Sequence, residues 1–270
     1  MLPCPICQTL PAPAFRARLL NRHDVQFHHC PDCGYLYSDT PYWLDEAYAS
    51  AIASADTGLV LRNQHLAGKL GVLLFHLFGA DGRFLDTAGG TGLLVRLMRD
   101  QGYDFRWEDP HCANALASGF EAQPGDTGFA AVTAMEVLEH LHSPLPFIER
   151  QLARSPTRSL LFTTELFEGP PPGPDWWYYA FEMGQHVGFF QPRTLARIAE
   201  RLGVRFHSAG GLHLFTTLDV SPRRYRQLVR RPTWWQRRQA RQALTPLTQA
   251  DFRQMLARGR QAGEDGRTSA

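Results

Sequence analysis

Four of the five cysteines stand in two pairs, Cys4-Pro-Ile-Cys7 and Cys30-Pro-Asp-Cys33, with 22 residues between the pairs. A two-residue gap lets both thiolates of a knuckle turn onto one ion at about 2.3 Å. Two knuckles complete a closed tetrahedral zinc site, which leaves no position for a substrate and is therefore structural. Gly34 follows the second pair, where a tight turn can aim backbone amides at sulfur. Two disulfides or two redox pairs are the competing readings. The chain opens Met1-Leu-Pro-Cys, without the basic start and apolar stretch of a secretory signal. A cytoplasmic location is therefore expected, and persistent disulfides are not. His23, His28 and His29 are further ligand types that the cysteines make redundant. Cys112 reads as a packed small residue.

A second chemical segment is Phe84-Leu-Asp-Thr-Ala-Gly-Gly-Thr-Gly-Leu-Leu-Val. It runs strand, glycine turn, helix, and its small residues let the backbone approach a ligand closely. Asp109 follows a second apolar strand, 23 residues after Asp86, where a carboxylate can accept both hydroxyls of a ribose. Glu108 competes for that role. A lone glycine turn also suits a dinucleotide, or nothing.

The elements that must position these residues fall into four spans. Residues 1–40 read as a zinc ribbon with short strands near Phe15–Leu19 and Gln26–His29. Residues 41–80 read as a helical connector and cofactor lid, apolar at Leu66, Leu70, Leu73, Leu74 and Leu77. From Gly82 strands and helices alternate, the mark of a parallel α/β sheet, and residues 81–220 form one Rossmann-like domain. A proline-rich, then aromatic, loop between Glu165 and Phe190 is long enough to be functional. Residues 221–270 read as a basic helical tail, disordered from about Gly259.

Asp86-Thr-Ala-Gly-Gly-Thr-Gly92 resembles the first motif of class I S-adenosylmethionine-dependent methyltransferases, with Ala88 in place of the first glycine. Ala131-Val-Thr-Ala-Met-Glu-Val-Leu-Glu-His-Leu141 resembles their fourth-strand motif, and Gln185-His-Val-Gly-Phe-Phe a segment of the methyltransferase-23 group. The N-terminal cysteine pairs also recur in related sugar C-methyltransferases. The resemblance implies S-adenosylmethionine held by Asp86, Ala88, Gly90, Gly92, Asp109 and Glu136. It also implies a histidine and a nearby tyrosine acting on the substrate, here His186 with Tyr178 or Tyr179. Methyl transfer to an alcohol or an acidic carbon needs a base poised near neutral pH, which suits histidine. His140 and His142 are the other candidates, and a hydrogen-bonded structural role is the alternative for each. Glu139 reads as a structural carboxylate at a helix start, as Glu136 also can.

The chain has 28 basic and 26 acidic residues. From Asp219 onward, however, there are 12 arginines against 4 acidic residues. A slightly acidic body with a basic tail is not the profile of a dedicated nucleic-acid binder. The tail adds Trp234 and Trp235 to its arginines, a combination suited to an anionic or membrane surface, or simply to a solvated helix folded back on the body. A small-molecule or glycan acceptor is the leading expectation. The alternatives are an RNA methyltransferase gripping nucleic acid through ribbon and tail, and a non-catalytic zinc scaffold.

Overall fold

Residues 3–48 and 57–268 are described by the structure, a computed structural model; part of the expected 41–80 connector lies outside them. β1 (Ala12–Leu19) and β2 (His23–His29) form an antiparallel hairpin, and β3 (Leu36–Ser38) pairs with β2. One face buries Leu19, Val25, Phe27 and Leu36, the alternation expected of a half-buried sheet. The short α1 (Leu44–Ala47) follows, then α2 (Leu59–Phe78), whose Leu70, Leu73 and Leu74 are buried.

The α/β rhythm then begins with β4 (Arg83–Thr87), α3 (Leu93–Asp100), β5 (Asp104–Glu108) and β6 (Ala131–Met135). It continues through α4 (Pro144–Leu152), β7 (Leu160–Thr163), β8 (Gly188–Phe189) and α5 (Pro192–Leu202). β9 (Arg205–Ala209) and β10 (Leu212–Thr216) close the sheet. Prolines at the first turns of α4 and α5 suit positions whose N–H has no helical partner. Gln191 and Thr194 cap α5 reciprocally, and Gly203, at φ +63°, ends it.

The larger sheet has the order β5-β4-β6-β7-β10-β9, parallel from β5 to β7, with β10 antiparallel to β7 and β9. It is the Rossmann-like α/β sheet expected from the alternation. α2 and α3 cover one face around Phe84, Phe105 and Met98; α4 and α5 cover the other around Val132, Leu160 and Ile198. Strand order reverses between β4 and β6. Open α/β sheets bind ligands beyond the carboxyl ends of the strands at such a switch point.

β8 does not join that sheet. It extends the ribbon, giving a second sheet β1-β2-β3-β8 in which Leu36 faces Phe189 and Tyr37 faces Gly188. The ribbon is thus completed by a segment from the middle of the α/β region.

The tail folds back as α6 (Pro222–Arg230), α7 (Trp234–Ala243) and α8 (Thr248–Thr268). The backbone of α8 runs past Gly259 to Thr268. Trp234 and Trp235 are exposed. Among the described residues, no helix is long and apolar enough to cross a membrane. α8 is anchored by Asp251, which accepts two hydrogen bonds from the buried Arg99, at 2.9 and 2.7 Å, and an ion pair from Arg96 at 2.9 Å. Asp251→Ala leaves Arg99 with only Asp104 and the Phe105 carbonyl. Thermal or denaturant unfolding should show a loss of about 1–3 kcal/mol. α8 should also become the first site of limited proteolysis; unchanged stability would show that the pair contributes nothing net.

Candidate functional site

The glycine turn after β4 is held open by side chains from β5. Asp109 Oδ2 accepts the Gly90 N–H at 2.8 Å, and its Oδ1 accepts the N–H groups of His111 and Cys112 at 2.7 and 2.9 Å. Trp107 donates its indole N–H to the Gly90 carbonyl at 2.9 Å. Ala88 and Gly90 both lie at φ +55°, and Gly92, at φ +86°, begins α3. A Cβ on Gly89 would meet the Asp86 carboxylate and Trp107, both at 2.9 Å, and one on Gly92 would meet Asn114 at 2.8 Å. Nothing lies within 4 Å of a Cβ built on Gly90, so the space beside its Cα is open although its N–H and carbonyl are both bonded. Glu108 is committed elsewhere, with both carboxylate oxygens on Arg154 at 2.7 and 2.9 Å. Of the two acids considered for a ribose, Asp109 is the one beside the glycine turn.

Asp86 is buried one residue before the end of β4 and accepts the Thr133 hydroxyl at 2.5 Å. Burial pushes its pKa up to about 7, against the Thr133 hydrogen bond, and the Asp109 charge adds to the rise.

At the end of β6, Glu136 takes a left-handed conformation, φ +55°, with its N–H on the Thr163 hydroxyl at 2.9 Å. A 3-10 turn over Leu138–His140 follows. There the chain meets the aromatic loop. The His140 and His186 rings are edge to face with centroids 4.9 Å apart, and the Tyr178 ring lies 4.8 Å from His186. His140 Nδ1 bonds the Gln185 carbonyl at 3.2 Å, and His186 Nδ1 the Tyr178 carbonyl at 2.6 Å. A carbonyl only accepts, so both Nδ1 atoms carry the proton and both lone pairs sit on Nε2. Burial lowers the His140 pKa to about 3, helped by the neighbouring His186. Burial also lowers that of His186, against its bond to Tyr178 and the charge of Glu136. A free-imidazole value near 6.5, natural to expect of a base, is therefore not what this environment gives.

Glu139 completes the group. Its side chain is wholly buried and neither carboxylate oxygen has a hydrogen-bond partner. Burial pushes its pKa up to about 8, the Glu136 carboxylate adding to the rise, while the nearby hydroxyls of Tyr178 and Thr164 oppose it. The structure places Glu139 beside His140 and His186 and not only at a helix start, a placement that its burial, and no spacing in the sequence, reveals. Tyr48 was not anticipated either, its ring lying 6.0 Å from those of both His140 and His111.

Tyr178 and Tyr179 part company. The Tyr178 hydroxyl bonds Thr164 at 3.2 Å, inside the cluster. Tyr179, expected as its equal, packs instead among Phe15, Phe181 and Phe189 and donates its hydroxyl to the Pro172 carbonyl at 2.9 Å. Its place is the ribbon's aromatic core. His142 also points away, to the Ser38 carbonyl at 3.0 Å. A surface depression lined by Leu77, Gly82, Arg83, Ala130 and Thr157 lies at the opposite, amino ends of β4 and β6, away from this chemistry.

In the ribbon, Cys4, Cys7, Cys30 and Cys33 are free thiols whose four sulfurs lie within 4.8 Å of one another. Cys4 and Cys33 are 3.7 Å apart, and Cys7 and Cys30 3.3 Å. Sulfurs on a tetrahedral zinc at about 2.3 Å lie about 3.8 Å apart, so the donor set fits that ion. Thr194 donates to the Cys33 carbonyl at 2.7 Å and Arg201 to the Ile6 carbonyl at 2.6 Å, docking the knuckles on α5.

The Asp86 environment fixes a pH dependence. Its folded pKa of about 7 lies above the unfolded carboxyl value of about 3.9. Folding therefore favours the protonated form, and the contribution is complete below about pH 4 and lost as pH rises through about 7. Asp86→Asn cannot ionise and keeps an oxygen for Thr133. Its melting temperature should gain on wild type between pH 5 and pH 8; parallel profiles would show that Asp86 ionises normally.

A family model described as a methyltransferase domain matches residues 61–209, more than half of the chain. No curated protein matches in sequence. Among solved structures, TnmH is 20% identical, with 65% of this chain and 60% of that one covered and a TM-score of 0.44. An O-methyltransferase family protein from Burkholderia thailandensis is 14% identical over 66% of this chain and 62% of that one, with a TM-score of 0.49. Magnesium protoporphyrin IX methyltransferase from Synechocystis PCC 6803, solved with bound SAH, is 11% identical over 64% of this chain and 90% of that one, with a TM-score of 0.44. The chain thus spans about 60% of the length of the first two. With the motifs on β4 and β6 inside the matched span, the chain belongs to the methyltransferase-domain family.

Proposed function

We infer that this protein transfers the methyl group of S-adenosylmethionine to an oxygen or an acidic carbon of a small molecule, such as a sugar, glycan precursor or secondary metabolite. One observation carries the reading. The open glycine turn latched by Asp109 stands at the carboxyl end of β4, and the cluster of buried Glu139 with half-buried His140 and His186 stands at that of the adjacent parallel strand β6. Bound S-adenosylmethionine would supply a methyl group on a sulfonium, whose leaving group is neutral and intrinsically good.

The chain's own work is then to orient and to move a proton. Asp86, Ala88, Gly90 and Gly92 shape the turn that holds the cofactor, and Asp109 accepts its ribose hydroxyls. Glu136 borders the pocket from β6. His186 presents a bare Nε2 to take the acceptor's proton, with Nδ1 fixed by the Tyr178 carbonyl; His140 and Tyr178 pack against it. Positioning of this kind supplies much of the acceleration in a displacement with a good leaving group. Zinc on the four cysteines is structural in this reading. A nucleic-acid substrate is not supported: of the three arginines before residue 50, Arg22 is already ion-paired with Glu46.

Metal analysis of freshly prepared, reduced protein should find about one zinc per chain. Cys30→Ser should loosen residues 1–40, because metal binding contributes directly to the folding of so small a module. Protein without zinc would remove this part of the reading.

Calorimetry should show S-adenosylmethionine or its demethylated product binding with micromolar-range affinity, roughly 8 kcal/mol. Asp109→Ala should weaken binding more than tenfold, since two charge-assisted hydrogen bonds are lost. His186→Ala should leave that affinity near wild type while lowering kcat by about 10²–10⁴-fold on an identified acceptor. Unchanged binding in the Asp109 variant, or wild-type turnover in the His186 variant, would count against the assignment.

A further inference from the structure

Three observations meet at the end of β6 and point beyond a base. Glu139, His140 and His186 each bring a potential ligand atom within 4.8 Å of the other two. Each imidazole spends its Nδ1–H on a backbone carbonyl, Gln185 for His140 and Tyr178 for His186. That leaves both Nε2 lone pairs unprotonated and both rings fixed, the arrangement by which metal-binding histidines are oriented. The third observation is independent of the histidines: Glu139 is wholly buried and neither of its oxygens makes a well-formed hydrogen bond, although the Tyr178 and Thr164 hydroxyls lie near. A wholly buried carboxyl can give up its proton at low cost only where something of opposite charge meets it. Its neighbours do not supply that charge. Glu136 lies close by, with Glu165 near Glu136 in turn, and none of these three carboxylates takes part in an ion pair among the described residues.

We propose that Glu139, His140 and His186 form a binding site for a divalent first-row transition cation, distinct from the cysteine site. Two imidazole nitrogens and one carboxylate on one side of an ion are a donor set that suits manganese, iron or zinc, and they leave the other coordination positions open. Ligands about 2.1 Å from a cation lie about 3.0–3.4 Å apart, so binding requires the three side chains to draw in by about 1–2 Å. The proposal rests on the reading of this cluster as the acceptor's end of the active site. It changes the part played by His186, from free base to ligand. An acceptor oxygen on an open position would be oriented and made more acidic by the ion.

The test uses the full chain loaded with a single equivalent of zinc, which the four soft thiolates take in preference to a mixed imidazole–carboxylate donor set, so that the cysteines are filled and the proposed site is not. Mn²⁺ is titrated in and the free ion is followed by electron paramagnetic resonance; S-adenosylmethionine binding is measured on the same preparations by calorimetry. Wild type should bind one Mn²⁺ per chain. Glu139→Gln and His140→Gln should each weaken it at least tenfold with melting temperatures near wild type, and Glu149→Gln, on the exposed face of α4, should leave it unchanged. Wild-type protein that binds no Mn²⁺, or variants that bind it equally well, would overturn the cation site. The wild-type titration decides the matter even if a variant fails to fold. Where S-adenosylmethionine still binds, the methyl-transfer reading survives that result; where it does not bind, that reading fails as well.

Discussion

Tyr35, Leu36 and Tyr37 are three consecutive residues that grip both halves of the candidate site. The Tyr35 hydroxyl donates to the Leu141 carbonyl at 3.0 Å, one residue beyond His140. Leu36 and Tyr37 pair with Phe189 and Gly188, three and two residues beyond His186. The two imidazoles come from segments more than forty positions apart, and their meeting depends on this clamp. Little slack is built into it: a Cβ on Gly188 would collide with the Tyr35 hydroxyl. The Val187 N–H closes the arrangement by donating to the Glu139 carbonyl at 2.8 Å. A Tyr35 hydrogen bond is worth only about 1 kcal/mol net, but its value here is geometric.

The clamp also gives the cysteine knuckles a bearing on chemistry they never touch. Cys30 and Cys33 bracket the turn that leads directly into Tyr35, and the Cys30 N–H bonds the Tyr35 carbonyl at 2.8 Å. The ribbon is docked by Thr194 and Arg201 of α5 and by the β3–β8 pairing, and an ion on the four sulfurs would tie its two knuckles together as well. It follows that whatever closes the four sulfurs also fixes the strand on which His186 depends. The ribbon's own aromatic core, including Phe27 and Tyr179, is completed by residues 176–189. Ribbon and aromatic loop fold as one unit, although the spacing of their elements reads as two.

Much of this was legible because local signals carried it. The period changes from helix to strand at Gly82, prolines and Gly203 bound the helices, and paired cysteines announce a tetrahedral donor set. An acid at the end of β5 could be placed by its distance past Asp86, since a parallel crossover has a restricted length, but Glu108 and Asp109 are told apart only by the bonds of one to Arg154 and of the other to Gly90. What could not be read were the long-range pairings. β3 and β8 have three and two residues, too few for any alternation to register. Tyr178 and Tyr179 are adjacent in a 3-10 turn, so their side chains leave in different directions and no spacing rule chooses between them. Glu139 looked like an ordinary polar start to a helix; only tertiary burial makes it exceptional.

The two strand ends share a further property that follows from the switch point. Directly after β4 and β6 stand Ala88 and Glu136, both non-glycine residues in the left-handed region. Each costs about 1–3 kcal/mol and persists only where surrounding structure over-determines it. Here it is over-determined by hydrogen bonds. Glu108 and Asp109 hold the β4 turn through the N–H groups of Gly89 and Gly90, and the Thr163 hydroxyl holds the N–H of Glu136. Beside the same strand ends sit Asp86 and Glu139, carboxyls displaced from their ordinary protonation by burial. Strain and unfavourable burial thus coincide at the carboxyl edge of β4 and β6, while Phe84, Leu85, Val132 and Ala134 along the same strands pack without any polar cost. Other unfavourable terms are scattered, such as the buried His207 on β9 and Arg158 at φ +46° before β7, but at the switch point strain and displaced carboxyls stand together, where an open α/β sheet takes its ligand.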